Sequence, residues 1–291
     1  MADRPTKQLW SPVLIELCLL LRDFLGDLDA RLTDLTDDDL YRHIAFAVSL
    51  QHSGRDFTAR PAPELDHIAA AVLRRLATGS LGDPLLRSPQ ARYATDATPH
   101  EVQMADESTS AAAPDKPIGA LWTSSLLPGG TSMWQWAEWA EFGQTRSLST
   151  VTFDPAGVRL FTIGSPSDYG QLVTRYPYPS AGRARVCWSR AAEDLDAVHL
   201  TVTGLLTAHH VPVRTPHGTA ILTGWDAEST AWLHLPPGIQ VTPATSSPSR
   251  NGSSADWPVP AHRPVSGGPT TASTGAAGWT PPRAEARSPV S

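Results

Sequence analysis

Hydrophobic and polar positions divide the chain into a helical first part and a mixed second part. In residues 10–32 the charged positions leave one broad apolar face, which predicts a buried helix. A helix over residues 64–78 is predicted in the same way, with Gly79 as its C-cap. Residues 1–88 are therefore predicted to form a helical domain.

A helix between these two is predicted to begin after Thr36. Thr36 to Asp39 has the spacing of a capping box, in which the threonine hydroxyl accepts from free backbone amides. The acidic run that follows suits the positive end of the helix dipole. We interpret this run as the solvated first turn of the helix, with a metal or partner site as the minor alternative.

Beyond the helical part, short strands alternate with short helices. Ser165 followed by Pro166 and Asp168 predicts a helix that ends near Arg175. The other predicted helices cover residues 132–142 and 189–195. Strands are predicted at residues 118–124, 149–153, 158–163, 197–203, 220–222 and 230–235. This pattern favours an α+β domain over residues 89–240, with a loop at 102–116.

The last part of the chain, residues 241–291, is rich in proline, serine, threonine and glycine and poor in aliphatic residues. Such a segment buries too little apolar surface to offset the entropy lost on ordering. We expect a disordered C-terminal tail.

Composition excludes several classes of protein. The formal net charge of −6 and the absence of a basic run disfavour a nucleic-acid partner. No apolar stretch is long enough to cross a membrane, so no membrane partner is expected. Cys18 and Cys187 lie far apart, which gives no disulfide framework and no zinc site, and a reducing cytoplasm fits this usage.

Common catalytic and metal-binding patterns are missing from the sequence. The ten histidines have no metal-ligand spacing, so the expected metal is none. The sequence contains no phosphate-binding glycine loop and no serine in a nucleophile elbow. His199 lies in a hydrophobic strand, where we expect a core or lining residue rather than a base.

Polar and aromatic residues coincide in three segments of the α+β domain. The first segment contains Arg92 and Tyr93, and the second contains Trp122 followed by Thr123, Ser124 and Ser125. The third contains Asp226 and Glu228, two residues apart, beside Trp225 and Trp232. Their order along the chain is an arginine, a hydroxyl cluster and then a pair of acids.

This order resembles the Arg/Ser-Thr-Ser/Glu subgroup of the ADP-ribosyltransferase fold. The resemblance implies that NAD is the substrate and that Glu228 is the catalytic carboxylate, with Asp226 beside it. It also implies that Arg92 and the cluster Thr123, Ser124 and Ser125 bind NAD. The cluster here is Thr-Ser-Ser, and the residue two before the glutamate is an aspartate, both of which depart from the family pattern. The same segments are similar to uncharacterised actinobacterial and phage proteins.

The chemistry implied by the resemblance has a physical basis. Cleavage of the bond between nicotinamide and ribose develops positive charge on the sugar, which a carboxylate stabilises. A guanidinium such as that of Arg92 pairs with a diphosphate, and rings such as Tyr93 and Trp122 stack on nicotinamide. Asp226 could orient or deprotonate the acceptor of ADP-ribose, whose identity the sequence leaves open.

Each of these residues also has a structural interpretation. Arg92 and Glu228 could be solvated surface charges, and Asp226 could be a turn residue. The hydroxyls of residues 123–125 could satisfy backbone groups near the turn, and Trp122, Trp225 and Trp232 could be core residues. The alternative function is therefore a non-catalytic interaction or adaptor protein of a bacterial or phage conflict system, and a different enzyme class also stays open.

Overall fold

A computed structural model describes most of the chain before residue 244. The described residues are 9–24, 28–52, 57–95, 101–104, 115–141, 146–178 and 183–243. They belong to a compact unit that runs from Met1 to Pro248, and the second unit, Ser249–Ser291, lies outside them. The described part combines helices with a large mixed sheet, so the predicted α+β class is confirmed.

The helices before residue 88 cover the predicted regions, but two helices correspond to the single one predicted over residues 10–32, and residues 25–27 between them lie outside the described part of the chain. The helices are α1 (Pro12–Phe24), α2 (Leu28–Asp34), α3 (Asp37–Ser49) and α4 (Asp66–Thr78). The predicted cap is present, because the Asp39 amide donates to Thr36 Oγ1 at 3.1 Å. Helix α4 ends as predicted at Gly79, whose amide donates to the Leu76 carbonyl at 3.0 Å. This region and the sheet lie in one compact unit. The division into a helical domain and an α+β domain stays a prediction.

The mixed part contains ten strands and four further helices among the described residues. The strands are β1 (Gln90–Ala94), β2 (Leu121–Ser125), β3 (Ser147–Thr152), β4 (Leu160–Ile163), β5 (Arg183–Ala184), β6 (Ala197–Leu200), β7 (Pro212–Thr215), β8 (Gly218–Ile221), β9 (Ser229–Trp232) and β10 (Gln240–Pro243). The helices are α5 (Gln135–Glu141), α6 (Pro166–Arg175), α7 (Trp188–Asp194) and α8 (Val202–Thr207).

A seven-stranded sheet places the segments of interest side by side. Its order is β10-β3-β1-β2-β9-β6-β4, and a smaller sheet has the order β5-β8-β7. In the large sheet β1, β2 and β9 are consecutive neighbours with antiparallel pairing. The segments that carry the arginine, the hydroxyl cluster and the acids therefore meet at the centre of one sheet.

One face of the large sheet carries an apolar core at one end and polar side chains at the other. The apolar cluster consists of Leu86, Leu121, Val151, Phe153, Ala197 and Trp232. Thr123 lies two residues after Leu121, and its hydroxyl accepts from Trp232 Nε1 at 2.9 Å. Because side chains alternate along a strand, Thr123 and Ser125 share this face, and Trp122 and Ser124 belong to the other.

Two predictions about secondary structure are wrong. The strand predicted over residues 197–203 ends at Leu200, where Thr201 caps α8 by accepting from the Gly204 amide at 2.9 Å. The predicted disorder from residue 241 does not hold for residues 241–243, because β10 pairs with β3 there. Residues 244–291 of the predicted tail, and most of the predicted loop at 102–116, lie outside the described residues.

Candidate functional site

Ser125 and Glu228 lie opposite each other where β2 ends and β9 begins. The register pairs Thr123 with Thr230 and Trp122 with Ala231, so its continuation brings Ser125 to Glu228. The Ser125 hydroxyl donates to Glu228 Oε1 at 2.7 Å, and its amide donates to Oε2 at 3.0 Å. One serine therefore holds both oxygens of the carboxyl group.

The carboxyl group of Glu228 lies in an environment that disfavours its charge. The residue is 2% exposed, which contradicts the interpretation of Glu228 as a solvated surface charge. Burial raises the pKa of Glu228 to about 7, although the two hydrogen bonds from Ser125 act in the opposite direction. The pKa of this carboxyl group therefore lies near neutral pH.

A buried polar network continues from this carboxyl group across the sheet. His199 Nε2 lies 3.6 Å from Glu228 Oε1, and its Nδ1 lies 3.0 Å from Thr230 Oγ1. Gln90 Nε2 also donates to Thr230 Oγ1, at 3.0 Å, and Gln90 Oε1 accepts from the Thr123 hydroxyl. Burial lowers the pKa of His199 to about 4, so the imidazole is neutral at pH 7. The prediction that His199 is a core or lining residue is confirmed.

A small cavity adjoins the Glu228 carboxyl group. Its volume is about 20 Å³, and its lining includes Ser125, His199 and Met133. The lining also includes five residues of the segment between α4 and β1: Ser80, Leu81, Asp83, Leu85 and Arg87. A cavity of this size holds about one water molecule and no ribose.

A larger cleft adjoins the same strands. Its volume is about 450 Å³, and Arg92, Tyr93, Trp122 and Asp226 line it together with Trp134. The Trp134 ring is fixed by its Nε1, which donates to the Glu228 carbonyl at 3.2 Å and to Ser229 Oγ at 3.0 Å. The remaining lining residues are Ala94, Thr95, Lys116, Ala120, Leu121, Ala137, Glu138, Arg146, Gly224, Trp225, Ala227 and Ser229.

Charge and aromatic character are combined in the cleft wall. The rings of Trp122 and Trp225 meet edge to face with centroids 4.8 Å apart. Glu138 is buried and forms an ion pair with Arg146. Burial, together with the nearby charge of Glu138, raises the pKa of Tyr93 to about 12, so its ring carries a neutral hydroxyl. Aromatic rings beside a few charged groups are typical of sites for flat, polar ligands.

The sequence-predicted site residues are divided between the cleft and the buried network. Arg92, Tyr93, Trp122 and Asp226 line the cleft, and Arg92 is only 5% exposed rather than solvated. Thr123, Ser125 and Glu228 belong to the buried network, and the pairing of Gln90 with Ser125 places Arg92 on the same face of the sheet by alternation. Ser124 is buried and its Oγ lies 2.7 Å from Ser132 Oγ. Trp225 and Trp232 are buried, as their interpretation as core residues predicts.

Helical residues also reach the turn that carries the two acids. Gln51 Nε2 donates to Asp226 Oδ1 at 2.8 Å. The Glu228 amide donates to the hydroxyl of Tyr41, a buried residue of α3, at 3.3 Å. Tyr41, Gln51 and Gln90 are further residues of the site that the sequence pattern did not predict. No local signal marks them, since each meets its partner through the tertiary fold.

Comparison with known proteins adds no functional assignment. No family model, no curated protein and no solved structure matches this chain. Within the described residues, no group of three or more histidine, cysteine or acidic residues could hold a metal ion. The same residues include no helix that is both long and apolar enough to cross a membrane.

Proposed function

We propose that the protein is an NAD-dependent ADP-ribosyltransferase with Glu228 as its catalytic carboxylate. The observation that carries this proposal is the clamp on Glu228, in which the Ser125 amide and hydroxyl hold both carboxyl oxygens at 3.0 and 2.7 Å. The hydroxyl cluster on β2 and the glutamate just before the adjacent strand β9 support the resemblance to the Arg/Ser-Thr-Ser/Glu subgroup. Arg92 lies on β1, the third strand of this set.

The environment of Glu228 suits the stabilisation of a cationic sugar. As the bond between nicotinamide and ribose breaks, positive charge develops on the sugar and the nicotinamide leaves as a neutral ring. A carboxylate in a region of low dielectric constant interacts more strongly with that charge than one in water. Ser125 fixes the direction of the carboxylate, and the neutral His199 beside it adds no competing positive charge.

A second candidate is a non-catalytic binding protein that uses the cleft. Its support is the separation of the cleft from the carboxyl group, since Trp122 and Asp226 line the cleft and Glu228 lines a different cavity, of about 20 Å³. On this hypothesis the pair of Ser125 and Glu228 is structural, and the cleft binds a ligand or a segment of a partner.

The release of nicotinamide from NAD by the purified full chain tests the first candidate. We expect release by the wild type and its loss in Glu228→Gln, which keeps the size of the side chain and removes the negative charge. Glu193→Gln is the matched control, because Glu193 is exposed on α7 and lines neither the small cavity nor the cleft. Equal release by all three proteins, or no release together with no NAD binding by calorimetry, would overturn the assignment.

NAD binding by Trp122→Ala distinguishes the two candidates further. If NAD occupies the cleft, the loss of this ring weakens binding about tenfold, a typical effect of removing one stacking side chain. Trp10→Ala is the control for the loss of an indole, since Trp10 pairs with Arg60 in an isolated bridge before α1. Binding that is unchanged in Trp122→Ala would assign NAD to the site beside Glu228.

A further inference from the structure

The segment between α4 and β1 covers the approach to Glu228. We call residues 79–87 the connecting segment. Five of them line the small cavity together with Ser125, His199 and Glu228. Leu81 and Leu86 are buried, while Leu85 between them is 69% exposed. The segment is therefore packed at two points and open to solvent between them.

A carboxylate of α3 anchors the connecting segment. The Ser80 amide donates to Asp37 Oδ2 at 3.0 Å, and the Ser80 hydroxyl donates to the same oxygen. Arg75 donates to Asp37 Oδ1 at 2.8 Å, and its guanidinium also donates to the carbonyls of Leu32 and Leu35. These bonds hold the pKa of Asp37 below its usual value, so the anchor is charged at neutral pH.

Close packing against α4 is a second restraint on the segment. A Cβ atom at Gly82 would lie 2.2 Å from the Leu76 carbonyl oxygen, which is main chain and cannot turn aside. Only a glycine allows the segment to approach the helix this closely. Beyond Gly82, Asp83 and Arg87 form an ion pair across a turn of the segment. The Leu85 amide donates to Asp83 Oδ1 at 2.9 Å within this turn.

We propose that the connecting segment is a lid that closes the carboxylate site and must move before a sugar can reach Glu228. This inference rests on the proposed function, because a cavity for one water molecule excludes the ribose that the reaction requires. Residues 83–85 lie between the buried Leu81 and Leu86 and belong to no strand. A stretch without strand pairing opens more readily than the paired strands beside it.

Chemical labelling of the Glu228 carboxyl group measures the opening of the lid without any need for activity. The full-length protein is treated with a water-soluble carbodiimide and glycine ethyl ester, and modification at Glu228 is followed by mass spectrometry. Asp37→Ala removes the anchor, and Asp29→Ala is its control, since Asp29 also lies in the first turn of a helix but pairs with Arg74 at the surface.

Gly82→Ala is a second variant, which forces the connecting segment away from α4. Its control is Gly157→Ala, which also ends a short 3-10 helix and where an added Cβ meets nothing within 4 Å.

We expect labelling of Glu228 to rise about tenfold in Asp37→Ala and Gly82→Ala, because the loss of a charged hydrogen bond shifts a local opening equilibrium by about that factor. The two controls should label at the wild-type rate. Nicotinamide release should rise with labelling. Labelling that rises without any release or NAD binding supports the lid and overturns the transferase function. Labelling at the wild-type rate in both Asp37→Ala and Gly82→Ala overturns the lid, and Asp37→Ala alone decides if Gly82→Ala does not fold.

Discussion

Replacement of Glu228 by glutamine should change the way in which stability depends on pH. In the folded protein, burial raises the pKa of this carboxyl group to about 7, whereas its ordinary value is 4.5. Folding therefore takes up a proton between these two values, and the wild type loses stability as the pH rises from about 4.5 to about 7. Above pH 7 the full cost of the buried charge is present. Glutamine has no proton to lose and avoids this cost.

The expected size of the effect follows from the shift in pKa. Each pKa unit corresponds to about 1.4 kcal/mol, so the shift of Glu228 corresponds to about 3 kcal/mol in the free energy of unfolding. His199 and His209 have lowered pKa values, of about 4 and about 3, and both therefore add stability as the pH rises towards 6.5. They contribute to both proteins, so the difference between the variant and the wild type isolates Glu228.

Urea unfolding at a series of pH values from 5 to 8.5 measures this difference. We expect the stability of Glu228→Gln relative to the wild type to increase by about 3 kcal/mol across the series. Glu193→Gln, at an exposed position, should show no such trend. A difference for Glu228→Gln that stays constant within about 0.5 kcal/mol would show that the buried carboxyl group ionises as it does in water, and would refute the reasoning.

Two further variants test the polar core. Thr230→Val leaves His199 Nδ1 and Gln90 Nε2, both 3.0 Å from the Thr230 hydroxyl, without this partner. We expect urea unfolding to show that the free energy of unfolding falls by about 2–3 kcal/mol. A decrease below about 0.5 kcal/mol would contradict the role given to this hydroxyl. Arg146→Ala deprives the buried Glu138 of its ion-pair partner. We expect the free energy of unfolding, measured by thermal and urea unfolding, to fall by about 3 kcal/mol at pH 7. This decrease should become smaller at lower pH, because Glu138 is then protonated.

Local signals were sufficient to predict several helices from the sequence. The caps at Thr36 and Ser165 each depend on residues three positions apart, and both caps are present. At the second cap, the Asp168 amide donates to Ser165 Oγ at 3.3 Å. Helix α6 accordingly has the predicted limits. Helix α8 was missed because alternation up to residue 203 favoured a strand, although Thr201 carried a capping signal. Gly204 also lets α8 approach β4 closely, since a Cβ there would lie 2.1 Å from the Ile163 carbonyl.

The composition of the site was easier to predict than its geometry. The order of Arg92, the hydroxyl cluster and the acids was visible in the sequence, and their strands are neighbours. The face on which each side chain lies depends on strand register, and a shift by one residue exchanges the faces. The pairing of β2 with β9 joins residues more than a hundred positions apart, and no local pattern reports it. Alternation along one strand separates Trp122 from Ser125, whereas the contact of Ser125 with Glu228 required the structure.

The pairing of Ser125 with Glu228 also determines when the site comes into existence during synthesis. The two residues are 103 positions apart, and the chain between them supplies β3, β4 and β6. A growing chain that has released β1 and β2 from the ribosome still lacks the acidic turn and β9, so β2 has no partner on that side. Contacts between distant parts of a sequence form slowly, because a long loop has to close first. The nascent protein therefore carries no assembled carboxylate site until nearly all of its sheet has been made.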